Sequence, residues 1–380
     1  MMILSLKLLI KLHIINYSNL CNAILIKLRN GLKKTVILLS DLLPVIIFCV
    51  RIGGMRAFPV RSKQLEQQFF LFAFMRFVTR SDFDGLVCGM VLKEAGMIDS
   101  VQFVHPKDLQ DGIFQADTND VLCNVPFVPG CGLWFDHHTS EAERVGWTPG
   151  VPGVSKKAPS CARLVYEYCG GEAKFPHFKD VIEAADKVDS GQLTAEDIQN
   201  PQGWVLVGFI ADPRTGLGRF HNFRISNYNL MMEFIDHLRT KTLEEILAHP
   251  DVKERVDLYR QQNELFVEMV RKYTKIENNV IVTDLRGVDT IYTSNRFTVY
   301  SVFPEQNVSL WITDGKAKIN VMISCGYSVV NRSCTADVGA LMLKYGGGGH
   351  KQVGTCQVPF DDADKIIAEL VQALKEKSPT

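Results

Sequence analysis

Short apolar segments alternate with segments of helical periodicity from Met75 onward, and this alternation is the feature that most restricts the fold. RFVT, VQFVH, DVLCNV and GLWFD are short apolar runs, whereas LVCGMVLKEAGM, APSCARLVYEYCGG and FKDVIEAADKVDSG place apolar residues at helical spacing. Strands and helices that alternate in this way predict an α/β fold, with a parallel sheet and helices on both of its faces. In such a sheet, ligands bind outside the carboxyl ends of the strands.

Polar side chains stand where these predicted strands end. Together with two acids at the end of a predicted helix, they are Asp82, Asp84, Asn124, Asp136, His137, His138, Asp186 and Asp189. Carboxylates and imidazoles gathered at one edge of a sheet repel and desolvate one another. A divalent cation removes that conflict, and hard oxygen ligands combined with imidazole suit Mn²⁺ or Mg²⁺.

Each of these features also has an ordinary structural interpretation. Asp82 could cap the helix that follows it by accepting hydrogen bonds from free N–H groups. Asp186 and Asp189 could be solvated acids at a helix end, and adjacent histidines such as His137 and His138 also occur by chance. Their joint occurrence, in this order and at predicted strand ends, favours a metal site.

The C-terminal third predicts a second, smaller α/β domain. NNVIVTDL, RFTVYSVFPE, VSLWITDG and KINVMISC have strand patterns, and a predicted helix then leads into GGGGHKQVG. The glycines at 346–349 let backbone N–H groups approach an anion closely, and His350 and Lys351 add charge beside them. A plain flexible turn is the alternative interpretation of the same glycines.

Residues 1–74 differ from the rest, because they hold ten Lys and Arg residues but only two acids, Asp41 and Glu66. We expect a start codon assigned too far upstream, with the working protein beginning at Met75. A peripheral membrane anchor or a targeting segment is the alternative, although the apolar run over 35–50 is short for a span. Without such an anchor, we expect no membrane partner.

The remaining composition indicates an ordinary globular protein of about two domains. A formal net charge of zero gives no indication of a duplex DNA partner. The ten cysteines form no CxxC pair and have no zinc-like spacing, which predicts buried thiols in a reducing, cytoplasmic compartment. A homodimer is the default expectation for the assembly.

The succession SDFDG, WFDHH, KVDSG and GGGGHKQVG resembles the DHH phosphoesterase family over roughly residues 75–360. That family includes exopolyphosphatases, nano-RNases, single-strand exonucleases and cyclic-dinucleotide phosphodiesterases. The resemblance implies a metal-binding catalytic domain over 75–230, a helical linker over 231–276 and a DHH-associated substrate-binding domain over 277–380. The start RSDFDGLVC is similar to bacterial proteins labelled exopolyphosphatase.

The resemblance also implies a role for individual residues. The metal ligands it implies are Asp82, Asp84, Asn124, His137 and Asp189, with Asp186 as the alternative to Asp189. Asp136 is expected to steady His137, and His138 is expected to face the phosphate and to protonate or orient the leaving group. The residues implied in substrate binding are Arg332, Gly347, Gly348, Gly349 and His350.

Two positions depart from the family pattern. Arg80 and Ser81 stand where the family usually has a histidine before the first acid pair, and Asn124 stands where a bridging aspartate is usual. Both changes weaken the first ion's site, so we expect one tight metal, with a second supplied alongside the substrate. Arg80 is expected to replace the first cation electrostatically. A non-catalytic phosphate or nucleotide binder is the alternative.

The sequence leaves the phosphorylated substrate open. A segment over 212–224 with the basic residues Arg214, Arg219 and Arg224 would hold a polyanion such as polyphosphate, or would be a surface loop with scattered charge. Tyr327 and Tyr345 could stack on the bases of a short oligonucleotide or pAp. Exopolyphosphatase-like hydrolysis is the first interpretation, and nano-RNase-like hydrolysis of short oligonucleotides is the alternative.

Overall fold

The computed structural model describes residues 36–37, 49–50, 75–138, 141, 144–146, 150–315 and 318–376. The chain divides into a unit of Met1–Phe70 and a unit of Leu71–Thr380. In the first unit, β1 (Val36–Ile37) pairs antiparallel with β2 (Cys49–Val50). The rest of the predicted 1–74 extension lies outside the described residues. Among the residues that are described, no helix is both long enough and apolar enough to span a membrane.

A five-stranded parallel sheet forms the first half of the second unit, in the order β4-β3-β5-β6-β7. Its strands are β3 (Met75–Thr79), β4 (Ile98–Phe103), β5 (Asp120–Cys123), β6 (Leu133–Asp136) and β7 (Gly153–Ser155). The parallel sheet predicted from the alternating pattern is therefore confirmed. Because β3, β5 and β6 are neighbours, the residues that follow them meet at one edge of the sheet.

Helices follow the strands as the periodicity predicts. In the first half of the unit they are α1 (Phe83–Glu94), α2 (Pro106–Gln110), α3 (Cys161–Tyr168), α4 (Gly171–Lys174), α5 (Lys179–Asp189), α6 (Ala195–Gln199) and α7 (Gly203–Ala211). Next come α8 (Asn227–Thr240), α9 (Leu243–Ala248) and the long α10 (Pro250–Tyr273). Asp82 caps α1 by accepting a hydrogen bond from Gly85 N, and Ser160 caps α3 in the same way from Arg163 N.

The second sheet is mixed and has six strands in the order β12-β13-β11-β10-β9-β8. They are β8 (Thr274–Glu277), β9 (Val280–Asp284), β10 (Val308–Asp314), β11 (Val321–Tyr327), β12 (Gly348–His350) and β13 (Val353–Val358). Only β9 and β10 run parallel; the other neighbours in this sheet are antiparallel. The helices α11 (Thr298–Val302), α12 (Val338–Leu343) and α13 (Phe360–Glu376) accompany it. The domain bounds at 230 and 276 stay predictions.

Two local predictions in this half are wrong. The segment RFTVYSVFPE was predicted as a strand, but Thr298–Val302 forms α11 and four of its five residues are buried. Alternating apolar and polar residues would indicate a strand with one face exposed to solvent, but this segment is buried on several sides. The plain flexible turn, which was the alternative interpretation of the glycines, is also wrong, because Gly348–His350 forms the edge strand β12.

Separate cores hold the two sheets. One face of the parallel sheet packs Phe77, Val121 and Phe135 against the helices, and the other face buries Val78, Leu122 and Trp134. The second sheet has its own core with α12 and α13. Phe266, Met269 and Val270 of α10 are buried, and Phe266 stacks on Trp311 of β10 with ring centroids 5.8 Å apart. The long helix therefore ties the second sheet to the first core.

Candidate metal centre

Asp84 lies in the first turn of α1 and is almost fully buried, at 3% exposure. Its two carboxylate oxygens accept hydrogen bonds from the backbone N–H groups of Ala162 at 2.7 Å and Cys161 at 3.0 Å, which belong to the first turn of α3. Burial raises the pKa of Asp84 well above its usual range, and the negative charge of Asp189 adds to that effect. A nearby cation would stabilise the ionised carboxylate.

His137 follows β6 and faces that carboxylate. Its Nδ1 lies 3.1 Å from the carbonyl oxygen of Ala158, which can only accept, so Nδ1 carries the proton of the neutral ring. Nε2 is then a buried lone pair to which no described residue donates a hydrogen bond. It lies 3.3 Å from Asp189 Oδ2 and 3.7 Å from Asp84 Oδ2. The lone pair and the two carboxylates are all acceptors, so a cation or a proton is needed between the nitrogen and the oxygens.

The pKa of His137 reflects the same crowding. Burial lowers the pKa of the imidazole, but the charges of Asp84 and Asp189 outweigh burial and raise it above its ordinary value. Ligand atoms of Asp84, His137 and Asp189 all lie within 4.8 Å of one another. Two carboxylates and one imidazole with an open Nε2 fit a divalent cation of the Mn²⁺ or Mg²⁺ type.

Asp186, the alternative to Asp189, is engaged elsewhere. It accepts hydrogen bonds from Ser160 Oγ at 2.6 Å and from Arg163 Nε at 2.9 Å. These contacts tie α5 to the start of α3 and use both carboxylate oxygens. The geometry therefore favours Asp189, one turn later on α5, as the acid that faces His137.

The predicted first-ion residues form a different arrangement. Asp82 Oδ1 accepts hydrogen bonds from Gly85 N at 3.1 Å and Asn124 Nδ2 at 3.0 Å, and Arg80 Nε lies 2.8 Å from Asp82 Oδ2. The Arg80 guanidinium thus pairs with this carboxylate, and its role in place of a cation stays a prediction. Asn124 has a positive φ of 58° and is buried, and its Oδ1 has no hydrogen-bond partner among the described residues. That oxygen is free to face an ion.

Asp136 contacts His138 rather than His137, so the expectation that it steadies His137 is wrong. Its side chain is fully buried, and its Oδ1 lies 2.8 Å from His138 Nδ1. The His138 backbone N–H also donates to Asp136 Oδ2 at 3.2 Å. Burial lowers the pKa of His138, but the hydrogen bond and charge of Asp136 outweigh it and raise the pKa. His138 is therefore oriented by a carboxylate and is easily protonated.

The described cysteines provide a second group of potential ligands behind Asp84. The sulfur atoms of Cys88, Cys123 and Cys161 lie within 4.8 Å of one another, and all three thiols are fully buried. Burial raises the pKa of Cys88 and of Cys123 well above the ordinary thiol value, so both stay neutral. The described cysteines are free thiols that mostly pack in the core, as the spacing predicts.

Three arginines, Arg80, Arg214 and Arg296, lie near the acids of the site, and Arg296 was not predicted from the sequence. Arg214 binds Asp212 with Nε 2.8 Å from Oδ1. Arg296 is solvent-accessible but enclosed by protein, and its pKa falls to about 10, first because of desolvation and then because of Arg214. The charges of Asp212 and Asp189 raise the pKa of Arg296, and the charge of Arg80 lowers it. The sequence signal for Arg296 is weak: three polar residues, Thr293, Ser294 and Asn295, precede it, and the segment that it begins has the pattern of a strand.

The predicted basic segment does not form one cluster. Arg214 lies at the site, but Arg219 donates to Thr293 Oγ1 at 3.2 Å, and Arg224 pairs with Asp251 at 2.5 Å. Both of these arginines hold loops in place. The interpretation of the whole segment as a single polyanion surface is therefore wrong, and Arg214 is the member that faces the acids.

The predicted substrate residues of the C-terminal half lie on two elements. Arg332 donates from Nη2 to the carbonyl oxygen of Gly191 at 2.6 Å, just beyond the end of α5 that carries Asp189. His350 pairs with Val353 across the hairpin of β12 and β13. Within the described part of the chain, no hydrogen bond or ion pair joins His350 to the proposed metal ligands. The roles of Arg332, Gly347, Gly348, Gly349 and His350 stay predictions.

Comparisons with known proteins give a strong match among solved structures. No family model and no curated protein matches the chain. A structure described as the pGpG-specific phosphodiesterase PggH from Vibrio cholerae is 44% identical, with a TM-score of 0.69, and the match covers 80% of this chain and 100% of that chain.

Structures of RecJ from Thermus thermophilus also match, but at much lower similarity. The complex with Mg²⁺ is 14% identical, with a TM-score of 0.45, and the match covers 82% of this chain and 51% of that one. The complex with Mn²⁺ is 13% identical, with a TM-score of 0.48, and the match covers 83% of this chain and 55% of that one. At these scores, neither RecJ structure bears on the function.

Proposed function

The chain belongs to the DHH phosphoesterase family, and from that premise we propose that it is a metal-dependent phosphodiesterase that hydrolyses short oligonucleotides. The group of Asp84, His137 and Asp189 is the observation that carries this proposal, because their ligand atoms converge and no donor from the described part of the chain lies between them. The 44% identity to a pGpG-specific phosphodiesterase, over the whole of that chain, supports a linear dinucleotide as the substrate.

Asp84, His137 and Asp189 would hold one divalent cation, and Asn124 Oδ1 is a further oxygen that is free to contribute. A bound Mn²⁺ or Mg²⁺ would lower the pKa of a water molecule and offset charge on the phosphoryl oxygens. The backbone N–H groups of Cys161 and Ala162 fix the Asp84 carboxylate, and Ala158 fixes the tautomer of His137. The ligands are thus oriented before a cation binds.

The surrounding side chains supply the remaining functions. Arg80 already neutralises Asp82 and is well placed to contact a phosphoryl oxygen beside that acid. His138 would protonate or orient the leaving oxygen, because Asp136 holds its Nδ1 and favours its protonated form. Asp136 acts through His138 and is a positioning residue.

Hydrolysis of polyphosphate is the second candidate function. Arg80, Arg214 and Arg296 all lie near the acids of the site, and guanidinium groups bind any phosphate chain well. The two tyrosines considered for base stacking do not favour nucleotides, because Tyr327 donates to the Ala336 carbonyl and Tyr345 donates to Glu369. The identity to the pGpG phosphodiesterase supports the dinucleotide over polyphosphate as the proposed substrate.

A substrate panel tests this proposal. The full chain is incubated with Mn²⁺ and, separately, with pGpG, pAp and polyphosphate, and released mononucleotide or phosphate is measured. We expect hydrolysis of pGpG with the highest kcat/KM, and loss of that activity in Asp84→Asn. Turnover of polyphosphate without turnover of pGpG would instead support exopolyphosphatase activity. Hydrolysis that persists in Asp84→Asn would contradict the proposed metal centre.

A further inference from the structure

The loop that carries Arg296 is fixed by buried polar residues. Thr293, Ser294 and Asn295 are 0%, 4% and 1% exposed. Asn295 Nδ2 donates to the Ile198 carbonyl at 3.1 Å and to the Tyr259 hydroxyl at 2.9 Å. Buried polar side chains are tolerated only when their hydrogen bonds are made, so these contacts fix the backbone of the loop.

Two further contacts hold the same loop from other sides. Ser294 Oγ donates to Asn263 Oδ1 at 2.5 Å, and Arg219 Nη2 donates to Thr293 Oγ1 at 3.2 Å. The loop is therefore anchored to α6, to α10 and to the segment before α8. Such anchoring is typical of a segment that must present one side chain in a defined position.

Arg296 is the side chain that this loop presents. It is exposed, whereas the three residues before it and Phe297 after it are buried. Its guanidinium lies over the Phe297 ring, 4.5 Å from the centroid, and makes no hydrogen bond or ion pair with any residue that the structure describes. Phe297 also packs against Phe209 of α7, with ring centroids 6.5 Å apart, and the adjacent Gly208 lines the same pocket as Asp84, Asp189 and Arg214. The N–H donors of Arg296 are thus free near the metal centre.

The charges around Arg296 favour an anion. Arg214 stands close enough to lower its pKa, and two guanidinium groups repel each other unless negative charge lies between or beside them. Asp212 is already paired with Arg214 by contacts of 2.8 and 3.1 Å to Nε. The Asp212 carboxylate is therefore occupied by Arg214, and the Arg296 guanidinium is free to bind a ligand.

We propose that Arg296, with Arg214 beside it, binds a second phosphate of the substrate, a terminal phosphate monoester next to the phosphodiester that is cleaved at the metal centre. This inference rests on the proposed function and deepens it. A guanidinium forms two parallel hydrogen bonds with a phosphate dianion, and a terminal monoester carries more charge than an internal diester. The enzyme would then select a linear dinucleotide with a phosphorylated end over the same dinucleotide without one.

Kinetics on three substrates test the inference. pGpG, GpG and GpGp differ only in the presence and end of the terminal phosphate, and kcat/KM is measured for each with wild type and Arg296→Gln. We expect wild type to prefer one phosphorylated form by about 10- to 100-fold over GpG, and Arg296→Gln to lose most of that preference through KM. The preferred form identifies the end. An equal decrease for all three substrates, or no decrease, would overturn the inference.

Control variants separate binding from folding. Arg296→Gln should melt like wild type, because Arg296 makes no hydrogen bond within the described chain, and Arg296→Lys should recover part of the preference through its charge. Arg271→Gln removes an exposed arginine on α10 and should leave all three substrates unchanged. A change in Arg271→Gln as large as that in Arg296→Gln would point to overall charge and contradict a specific site.

A binding measurement keeps the inference distinct from the proposed function. Chelator-treated wild type and Arg296→Gln are titrated with GMP and with guanosine, without any turnover. We expect GMP to bind more tightly than guanosine to wild type, and that difference to fall about tenfold in Arg296→Gln. This result would support the phosphate site even if no oligonucleotide were hydrolysed. An unchanged difference alongside active hydrolysis would overturn the inference and leave the proposed function intact.

Discussion

His137 Nε2 lies 3.3 Å from Asp189 Oδ2, although β6 delivers the histidine and α5 delivers the acid. The His137 Nδ1–H donates to a carbonyl, so the two facing atoms are both acceptors in the neutral ring. The sequence elements on either side are fixed by buried cores, which hold these atoms together. A divalent cation between the two groups would reconcile this geometry with their chemistry.

Asp189→Asn should abolish tight metal binding, whereas Asp186→Asn should not. Both acids lie on α5, but Asp186 is committed to Ser160 and Arg163, and Asp189 faces His137. We expect Asp189→Asn to lower kcat by roughly 10²-fold or more, and Asp186→Asn to lower chiefly the free energy of unfolding, by about 1 kcal/mol. Mn²⁺ titration and urea unfolding distinguish the two outcomes. Equal loss of metal affinity in both variants would contradict the assignment.

Asp136→Asn should lower kcat much more than it changes KM. The asparagine amide cannot accept the His138 Nδ1–H as a carboxylate does, and it no longer favours the protonated ring. We expect a decrease in kcat of about 10²- to 10⁴-fold and an acid shift of the limb of the pH–rate profile that reports His138. The full pH profile of both proteins measures this effect. A profile that keeps its shape, with only KM altered, would show that His138 does not transfer the proton.

Gly347→Ala and Gly348→Ala should differ sharply in stability. A Cβ on Gly347 would lie 2.0 Å from the Thr355 carbonyl oxygen, whereas a Cβ on Gly348 would meet nothing within 4 Å. We expect Gly347→Ala to lose about 2–4 kcal/mol of unfolding free energy, and Gly348→Ala to stay within about 1 kcal/mol of wild type. Urea unfolding measures both. Equal stabilities would mean that β12 does not pack against β13 as described.

The buried imidazole of His237 should lower the free energy of unfolding in acid. The residue is buried on α8, and its pKa falls to about 4 because of burial first and then the positive charge of His249. Between pH about 6.5 and about 4, His237 is protonated in the unfolded chain but neutral in the native chain. The free energy of unfolding therefore falls as the pH is lowered through this range. We expect His237→Phe to reduce the fall by about 2 kcal/mol, measured by urea unfolding at pH about 7.5 and about 5. Parallel losses in the two proteins would exclude His237 as the cause.

The sequence was sufficient to predict the parallel sheet and the residues at its edge, because strand ends in such a sheet converge whatever the loops do. Asp84 and His137 were therefore predicted to meet, the family resemblance added Asp189, and the structure brings the three within ligand distance of one another. The choice of Asp189 over Asp186 needed the structure for support, since only the contacts of Ser160 and Arg163 reveal that Asp186 is occupied.

Other features depended on contacts that no local pattern encodes. Asp136 precedes both histidines, and only the turn of the backbone after β6 decides that it binds His138. Arg296 lies far from the motifs, in a segment whose β-branched and aromatic residues favoured a strand. Burial on several sides produced that pattern, and α11 formed instead. The glycines paired as β12 because their missing side chains let Gly347 and Gly349 pack against β13.

The central claim is that Asp84, His137 and Asp189 bind the cation on which hydrolysis depends. The most direct test is calorimetric titration of Mn²⁺ into the chelator-treated full chain, with pGpG hydrolysis measured at each metal concentration. We expect one tight site in wild type, with the rate rising as that site fills, and loss of both in Asp84→Asn. Equal Mn²⁺ affinity in Asp84→Asn, or hydrolysis that does not depend on the metal, would contradict the claim.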